Sequence, residues 1–187
     1  ALNRLTNKTP DAFFAAPPVT FTYNATGQRA TMSDASGLTT YDYDLRDRLL
    51  TKATPQGALV YSNDAAGNVT LIGSLNANGV ALTYTYDALN RLETATDAHT
   101  GTTTYGYDAV GNLQGYVYPN DVASTYTYDA LNRLTNLSTI NPQLSTVARY
   151  SYTLKPTGHR ASVAELSGRA VAYVYDTTHR LTTETVS

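Results

Sequence analysis

The sequence predicts an all-β fold, in which tandem β-hairpin repeats form a long, curled antiparallel sheet, a segment of a spiral or shell. Three observations predict it. The 187 residues include 16 Tyr but no Trp and no Cys, and a chain rich in Tyr and Thr favours strands over helices. A nine-residue motif recurs at intervals of 20 to 24 residues. Within each copy, aromatic residues alternate with small or polar ones, which is the period of a half-buried strand.

The composition excludes several classes of protein. Thirteen basic residues against fifteen acidic ones give a net charge of -2, whereas nucleic-acid-binding domains carry a basic excess. The absence of Cys excludes a disulfide scaffold, a zinc–thiolate site and a thiol nucleophile. No apolar run approaches the roughly 20 residues of a membrane-spanning helix. We therefore expect neither nucleic-acid binding nor membrane insertion.

The repeat covers nearly the whole chain, so we expect one domain, residues 1–187. It contains about eight full copies and one partial copy, ALNRL, at the N-terminus, with an irregular insertion at about residues 7–20. The prolines of this insertion favour irregular extended chain. Phe13 and Phe14 are expected to tuck it against the sheet, and a partner-binding loop is the alternative. The copies are FTYNATGQR (21–29), YDYDLRDRL (41–49), YSNDAAGNV (61–69), YTYDALNRL (84–92 and 126–134), YGYDAVGNL (105–113), the longer YSYTLKPTGHR (150–160) and YVYDTTHRL (173–181).

Each copy begins with the first strand of a hairpin. Its two aromatic residues are separated by one residue, so they lie on the same face of an extended strand. We call them the first and second aromatic positions, and expect Tyr rings to stack from copy to copy. Tyr152 is assigned to the second position of its copy. The complete pairs are Tyr41 and Tyr43, Tyr84 and Tyr86, Tyr105 and Tyr107, Tyr126 and Tyr128, and Tyr173 and Tyr175; Tyr116 and Tyr118 belong to neither position.

The turn of each hairpin follows the second aromatic position. An Asp at this point, here called the turn aspartate, accepts backbone N–H groups as in an Asx turn. Three residues later comes a Gly, Asn, Asp or His, the residues that tolerate positive φ and form a bulge after a type I turn. In the 150–160 copy, Thr153 takes the aspartate position and Gly158 follows a two-residue insertion. The turn aspartates include Asp44, Asp87, Asp108, Asp129 and Asp176, and the residues with positive φ include Asn90, Gly111 and Asn132.

The second strand starts after the turn, and a connection of variable length leads to the next copy. Nine copies, the first partial, give roughly 17 strands. Because open twisted sheets rarely exceed about ten strands, and no helices are predicted to cover the aromatic face, we expect the sheet to coil so that one turn of the coil covers the Tyr face or joins the next.

The pattern Y-x-Y-D-x-x-G/N-R-L resembles the YD repeat of rearrangement-hotspot (RHS) proteins, found also in toxin-complex B and C components, wall-associated proteins and teneurins. The resemblance implies a β-sheet strip that spirals into a hollow shell, which in bacterial members holds a toxin domain. It also implies a secreted or cell-surface location, in a bacterium. The family's protease region is marked by a D-P-x-G-type motif, and because no Asp-Pro pair occurs here, no protease residue is assigned.

The leading hypothesis is therefore a non-enzymatic structural segment of an RHS shell. We assign it no catalytic, cofactor or metal residues, and expect as partners the rest of the same polypeptide and an enclosed polypeptide. An alternative is an extracellular interaction or adhesion module that self-associates or binds partners through its sheet edges. A third hypothesis, a carbohydrate-binding domain, is disfavoured because Glu93, Glu165 and Glu184 lie in separate copies. The histidines His99, His159 and His179 lack the close spacing of a metal site.

Overall fold

The computed structural model describes residues 3–11, 13, 16–143 and 145–187, and these residues form 17 strands in one antiparallel sheet. Each strand pairs with the next one along the chain, as the hairpin repeat predicts. No α-helix occurs in the described ranges. The strands are β1 (Asn7–Lys8), β2 (Val19–Tyr23), β3 (Arg29–Asp34), β4 (Gly37–Tyr43), β5 (Leu49–Thr54), β6 (Gly57–Asn63), β7 (Val69–Ser74), β8 (Ala81–Tyr86), β9 (Leu92–Asp97), β10 (Gly101–Tyr107), β11 (Leu113–Val117), β12 (Ala123–Tyr128), β13 (Leu134–Ile140), β14 (Thr146–Leu154), β15 (Arg160–Glu165), β16 (Ala170–Tyr175) and β17 (Leu181–Val186). The all-β fold of tandem hairpins is confirmed.

No described helix is long and apolar enough to cross a membrane.

The chain divides into two compact units. The first runs to Arg91 and includes Thr96–His99, and the second contains Leu92–Ala95 and Thr100–Ser187. Among the described residues, each unit contains strands of a single sheet layer with little core. Only Thr39 is buried in the first unit, and only Ser124, Val163 and Val171 are buried in the second. Within each unit the aromatic face is therefore half-buried, without the fully buried Tyr layer that the sequence suggested.

The hairpin of β4 and β5 shows how each repeat folds. Tyr41 lies opposite Lys52, but Tyr43 lies opposite Leu49, so one extra residue of β5 forms a bulge next to the turn. The backbone N–H of Asp47 donates to the Asp44 carbonyl at 3.0 Å, which closes the type I turn. Asp47 itself has a φ of 64°. The predicted turn with a bulge is confirmed.

The same backbone conformation recurs at each predicted position of positive φ. Asn90, Asn132 and His179 have φ between 59° and 66°, and Gly111 has a φ of 97°. Two of the turns that connect the opposite ends of the strands form the same pair of backbone hydrogen bonds, at Tyr118–Val122 and Glu165–Arg169. The first contains Asp121 and the second Gly168, both at positive φ. The E-x-x-G-R spacing of the second matched the repeat turn and was the signal that could have revealed it.

The copy at 150–160 differs from its predicted alignment. Leu154 lies opposite Arg160 and Tyr152 lies opposite Val163, which is the register of Tyr43 and Tyr41 in β4. Tyr152 therefore occupies the first aromatic position, and Leu154 the second. Lys155, rather than Thr153, takes the place of the turn aspartate, since its carbonyl accepts from the Gly158 N–H at 2.8 Å. The two extra residues lengthen β14 and leave the turn unchanged.

Backbone pairing joins the described part of the N-terminal insertion to the sheet. Strand β1 pairs with β2, with Asn7 opposite Thr20. The N–H of Phe13 donates to Asp11 Oδ1 at 2.8 Å, and its side chain is 87% exposed. The expectation that Phe13 packs on the sheet is therefore wrong, since a packed ring would be largely buried. Phe14 lies outside the described residues.

Candidate functional site: the bonds between neighbouring hairpins

The turn aspartates organise their own turns through a repeated set of hydrogen bonds. Oδ1 of Asp129 accepts the backbone N–H of Leu131 at 2.9 Å and of Arg133 at 3.0 Å. Its Oδ2 accepts from Arg133 Nε at 2.7 Å. The same three contacts form around Asp44, Asp87 and Asp176, and in Asp108 an Asn amide replaces the Arg guanidinium. Each carboxylate thus satisfies backbone donors that the turn leaves unpaired.

These hydrogen bonds favour the charged form of each carboxylate. The backbone N–H of Arg180, followed by the hydroxyl of Thr178, lowers the pKa of Asp176 to about 2. The backbone N–H of Arg91 lowers the pKa of Asp87, and the guanidinium of Arg133 lowers the pKa of Asp129. A carboxylate with a lowered pKa and filled hydrogen-bonding positions is suited to holding a turn rather than to accepting a proton in catalysis.

The second aromatic position links each hairpin to the one before it. The hydroxyl of Tyr128 donates to the backbone carbonyl of Leu113 at 2.9 Å. Leu113 is the first residue of β11, in the preceding hairpin, and every Tyr in the second position bonds to the corresponding carbonyl. The pairs are Tyr23 to Leu5, Tyr43 to Arg29, Tyr86 to Val69, Tyr107 to Leu92, Tyr128 to Leu113 and Tyr175 to Arg160. The sequence predicted the aromatic pair but not these bonds.

Asn63 and Leu154 occupy the second aromatic position where the series of tyrosines is interrupted. Asn63 is too short to reach the preceding hairpin, and its Nδ2 donates to Gly67 within its own turn at 3.2 Å. Leu154 has no hydroxyl. The tyrosine bond therefore depends on the side chain at this position.

The first aromatic position lies on the same half-buried face, where Tyr41, Tyr84 and Tyr173 are placed. The second strand of each hairpin lies between the Tyr rings of successive copies. At one place Tyr116, on β11, fills the gap. Its ring centroid lies 6.0 Å from Tyr105 and 6.2 Å from Tyr126. Tyr116 is thus placed by the pairing of β11 with β10 and β12.

Tyr116 and its neighbours Tyr118 and Tyr126 have shifted pKa values. The Tyr118 ring packs edge-on against Tyr116 at 5.0 Å. Hydrogen bonds, first with Ser124, lower the pKa of Tyr116, whereas burial, followed by the hydrogen bond with Tyr116, raises the pKa of Tyr126 to about 12. A trough of about 510 Å³ crosses these strands and is lined by Tyr, Thr, Ser, Gly, Ala, Val and Gln. It brings no carboxylate or imidazole into its lining.

The turns also contact one another along the sheet. Nη1 of Arg48 donates to the carbonyl of Asp64, in the next repeat turn, at 2.8 Å. Asn112 Nδ2 donates to Oδ1 of Asn132, in the turn that follows, at 3.0 Å. The arginines that recur after the turn therefore bind their own aspartate and, as Arg48 does, the next turn. They do not form a free cationic row among the described residues.

The histidines and glutamates form pairwise contacts in the described part of the chain. His159 stacks on His179 with ring centroids 4.8 Å apart, and His99 contacts the Gly79 carbonyl at 3.2 Å. Glu165 forms an ion pair with Arg169. The described residues contain no group of three or more His, Asp or Glu side chains that could hold a metal ion.

Comparison with known proteins gives one family and several solved structures. The model of the RHS Repeat matches residues 19–59, 64–102 and 107–143. The crystal structure of TcdB2-TccC3-TEV is 17% identical, with a TM-score of 0.44, over 90% of this chain and 13% of that chain. The Tc holotoxin pore of Photorhabdus luminescens is 18% identical, with a TM-score of 0.38, over 89% of this chain and 12% of that one.

A porin-like protein from Bacteroides uniformis is 16% identical, with a TM-score of 0.39, over 90% of this chain and 87% of that one. No curated protein matches the chain in a sequence comparison. The chain spans about an eighth of the length of the toxin-complex chains.

Proposed function

The chain belongs to the RHS repeat family, and we propose on this basis that residues 1–187 are a non-enzymatic structural segment of a wall. This wall encloses or presents another polypeptide. The proposed partners are the remainder of the same polypeptide and the enclosed one. A secreted or cell-surface location, in a bacterium, goes with this role. The proposal requires no cofactor and no metal.

The observation that carries the proposal is the single-layer construction of both units. A chain of 187 residues normally folds around a buried core, because burial of apolar area stabilises the fold. Here each unit of the described chain keeps a half-buried aromatic face and buries at most three residues. Its stability must instead come from strand pairing and from bonds that recur in most of the hairpins. Such a sheet can be extended without a core, which is the requirement for a wall.

The residues that we propose for structural roles fall into two sets. The tyrosines at the second position, such as Tyr86 and Tyr107, link each hairpin to the preceding one. The turn aspartates and the residues of positive φ, such as Asp108 and Gly111, fix the turns. The tyrosines at the first position, such as Tyr84 and Tyr105, form the half-buried face that would meet an enclosed polypeptide.

The test uses the full-length protein that carries this segment, because enclosure is a property of the whole wall. Protease is added at increasing urea concentrations, and cleavage of the non-repeat part is compared with unfolding of the sheet by circular dichroism. If the wall encloses that part, its cleavage begins at the urea concentration where the sheet unfolds. Tyr128→Phe should shift both transitions together, whereas Tyr173→Phe, which changes a tyrosine of the first position, should shift neither.

Free cleavage of the non-repeat part while the sheet is still folded would overturn enclosure. That result would favour the alternative role, an extracellular module that presents or binds partners on its surface.

A further inference from the structure

The eight complete repeat turns fall into two classes that alternate along the chain. Each turn is classified by its residue of positive φ and the residue that follows it. The glycine class combines Gly with Gln, Asn or His, and the arginine class combines Asp, Asn or His with Arg. In chain order the turns are Gly27-Gln28, Asp47-Arg48, Gly67-Asn68, Asn90-Arg91, Gly111-Asn112, Asn132-Arg133, Gly158-His159 and His179-Arg180. The alternation has no exception in this set.

An arginine-class turn reaches across a glycine-class turn. Arg133 Nη1 donates to the carbonyl of Lys155, in the next turn, at 3.2 Å, and Arg48 reaches Asp64 in the same way. At Gly27 a Cβ would lie 3.0 Å from Nη2 of Arg4, which precedes it in the same relation. At Gly67 and Gly111 a Cβ would meet no atom within 4 Å, and at Gly158 it would meet only Arg133 Nη1, at 4.0 Å. A side chain would therefore crowd the arginine at Gly27 but not at the other three turns, where the hydrogen bonds to the next turn define the contact.

A glycine-class turn makes a different contact with the arginine-class turn that follows. Its second residue is too short to cross that turn as Arg does, and in most copies it meets the side chain at positive φ. Asn68 Nδ2 donates to Asn90 Oδ1 at 3.0 Å, the same distance as between Asn112 and Asn132. In the last pair the rings of His159 and His179 stack within 11° of parallel. Gln28, which is longer, donates to the Asp47 carbonyl at 3.0 Å.

The exposure of the arginines shows that the next turn covers them. The Arg48 and Arg133 side chains are 27% and 28% exposed, whereas that of Arg180, which has no following turn among the described residues, is 81% exposed. Arg180 keeps the bond to its own turn aspartate, with Nε 2.8 Å from Asp176 Oδ2. The difference therefore arises from the neighbouring turn and not from the ion pair.

We propose that the turn is an interaction surface that binds the other class best as its neighbour, so that the assembly unit of this sheet is a pair of hairpins. An arginine-class turn fits a glycine-class turn beside it, and an asparagine fits an asparagine. The identical segments at 84–92 and 126–134 begin 42 residues apart, which is two hairpins. The inference goes beyond the proposed function, since it does not depend on what the wall encloses.

Three deletions in the whole chain test the proposal. Each removes complete hairpins and leaves a Thr-Tyr junction of the kind already present in the intact sequence. Removal of 84–125 takes out two hairpins and brings Asn68 beside Asn132, so the classes still alternate. Removal of 84–104 brings Asn68 beside Gly111, and removal of 105–125 brings Arg91 beside Asn132, so like classes become neighbours. The urea midpoint of each variant is measured by circular dichroism.

The two-hairpin deletion should have the highest midpoint of the three, although it is the shortest chain. If stability simply follows the number of hairpins, as expected for additive repeats, both one-hairpin deletions will be more stable, and the proposal is overturned. Gly111→Asn in the 84–104 deletion rebuilds an Asn pair with Asn68. It should raise the folding equilibrium constant roughly two- to ten-fold, the range for one net hydrogen bond, but should give no gain in the intact chain.

A cycle of substitutions in the intact chain covers the case in which a deletion fails to fold. Asn132→Gly removes the acceptor of Asn112, and Asn112→Arg alone places an arginine against Asn132. The double variant restores an Arg–Gly neighbour pair and should be more stable than the sum of the single effects predicts. Additive effects would show that the two turns are not coupled, which would overturn the proposal.

Discussion

Deletion of one oxygen atom is enough to remove the bond from a tyrosine of the second position to the preceding hairpin. Tyr128→Phe deletes the hydroxyl that donates to the Leu113 carbonyl at 2.9 Å and leaves the ring in place. No cavity forms, so the change isolates the hydrogen bond from the packing of the ring. Burial raises the pKa of Tyr128, which agrees with a hydroxyl that is partly withdrawn from solvent.

The expected loss follows from the environment of the bond. A net intramolecular hydrogen bond contributes about 0.5–1.5 kcal/mol, and Tyr128 and Leu113 are both half-buried, so we expect a loss of about 1 kcal/mol. In a protein of this size that loss corresponds to a fall of about 2–4 °C in Tm. The urea midpoint should fall with an unchanged slope, since the same surface is exposed on unfolding.

The assay is urea unfolding followed by circular dichroism, with Tyr173→Phe as the matched control. Tyr173 is in the first position of its copy and is also half-buried, so it reports the general effect of removing a tyrosine hydroxyl from this face. An equal loss in both variants, or no loss in Tyr128→Phe, would refute the reasoning that the second position binds hairpins together.

Three further predictions concern other repeat positions. Asn63→Tyr should supply the missing bond to the preceding hairpin and stabilise the protein by about 0.5–1 kcal/mol; an unchanged Tm would contradict this. Gly111→Val should cost at least about 1 kcal/mol, because β-branched residues are strained at a φ of 97°, whereas Gly106→Ala, which is not at positive φ, should cost less; equal losses in urea unfolding would show that backbone strain is not the cause. Stability should fall in acid, because Asp176 has a folded pKa of about 2 against an ordinary 3.8; its contribution is complete above pH 3.8 and is lost as the pH falls towards 2. In Asp176→Asn the acid-induced loss measured by urea midpoint between pH 5 and pH 2 should be smaller, and an identical pH profile would count against the turn carboxylate.

The turn could be predicted from the sequence because its chemistry is local. An Asp, followed three residues later by a Gly or Asn, specifies the bulged turn through contacts within five residues, as Asp129 and Asn132 show. The failure in the 150–160 copy has the same origin. Alignment by tyrosines placed Tyr152 in the second position, but the turn around Gly158 sets the register, and it assigns that position to Leu154.

The bonds between hairpins could not be predicted because they depend on register across strands. Tyr107 and Leu92 are 15 residues apart, and Asn112 and Asn132 are 20 apart. The repeat alone does not say which carbonyl a hydroxyl will reach. Phe13 was assigned to the sheet by its apolar character, but the residue is 87% exposed.

The direction of the two kinds of bond has a consequence for how the protein is made. Each tyrosine hydroxyl of the second position binds a hairpin that was synthesised earlier, as Tyr128 binds the Leu113 carbonyl. The side chains of the turns bind the turn that is synthesised next, as Asn112 binds the side chain of Asn132. Strands pair with their neighbours in sequence, which keeps contacts short-range and folding fast. A hairpin leaving the ribosome can therefore dock at once on the finished edge through its tyrosine, and the next turn then secures it. The sheet is able to grow in step with translation.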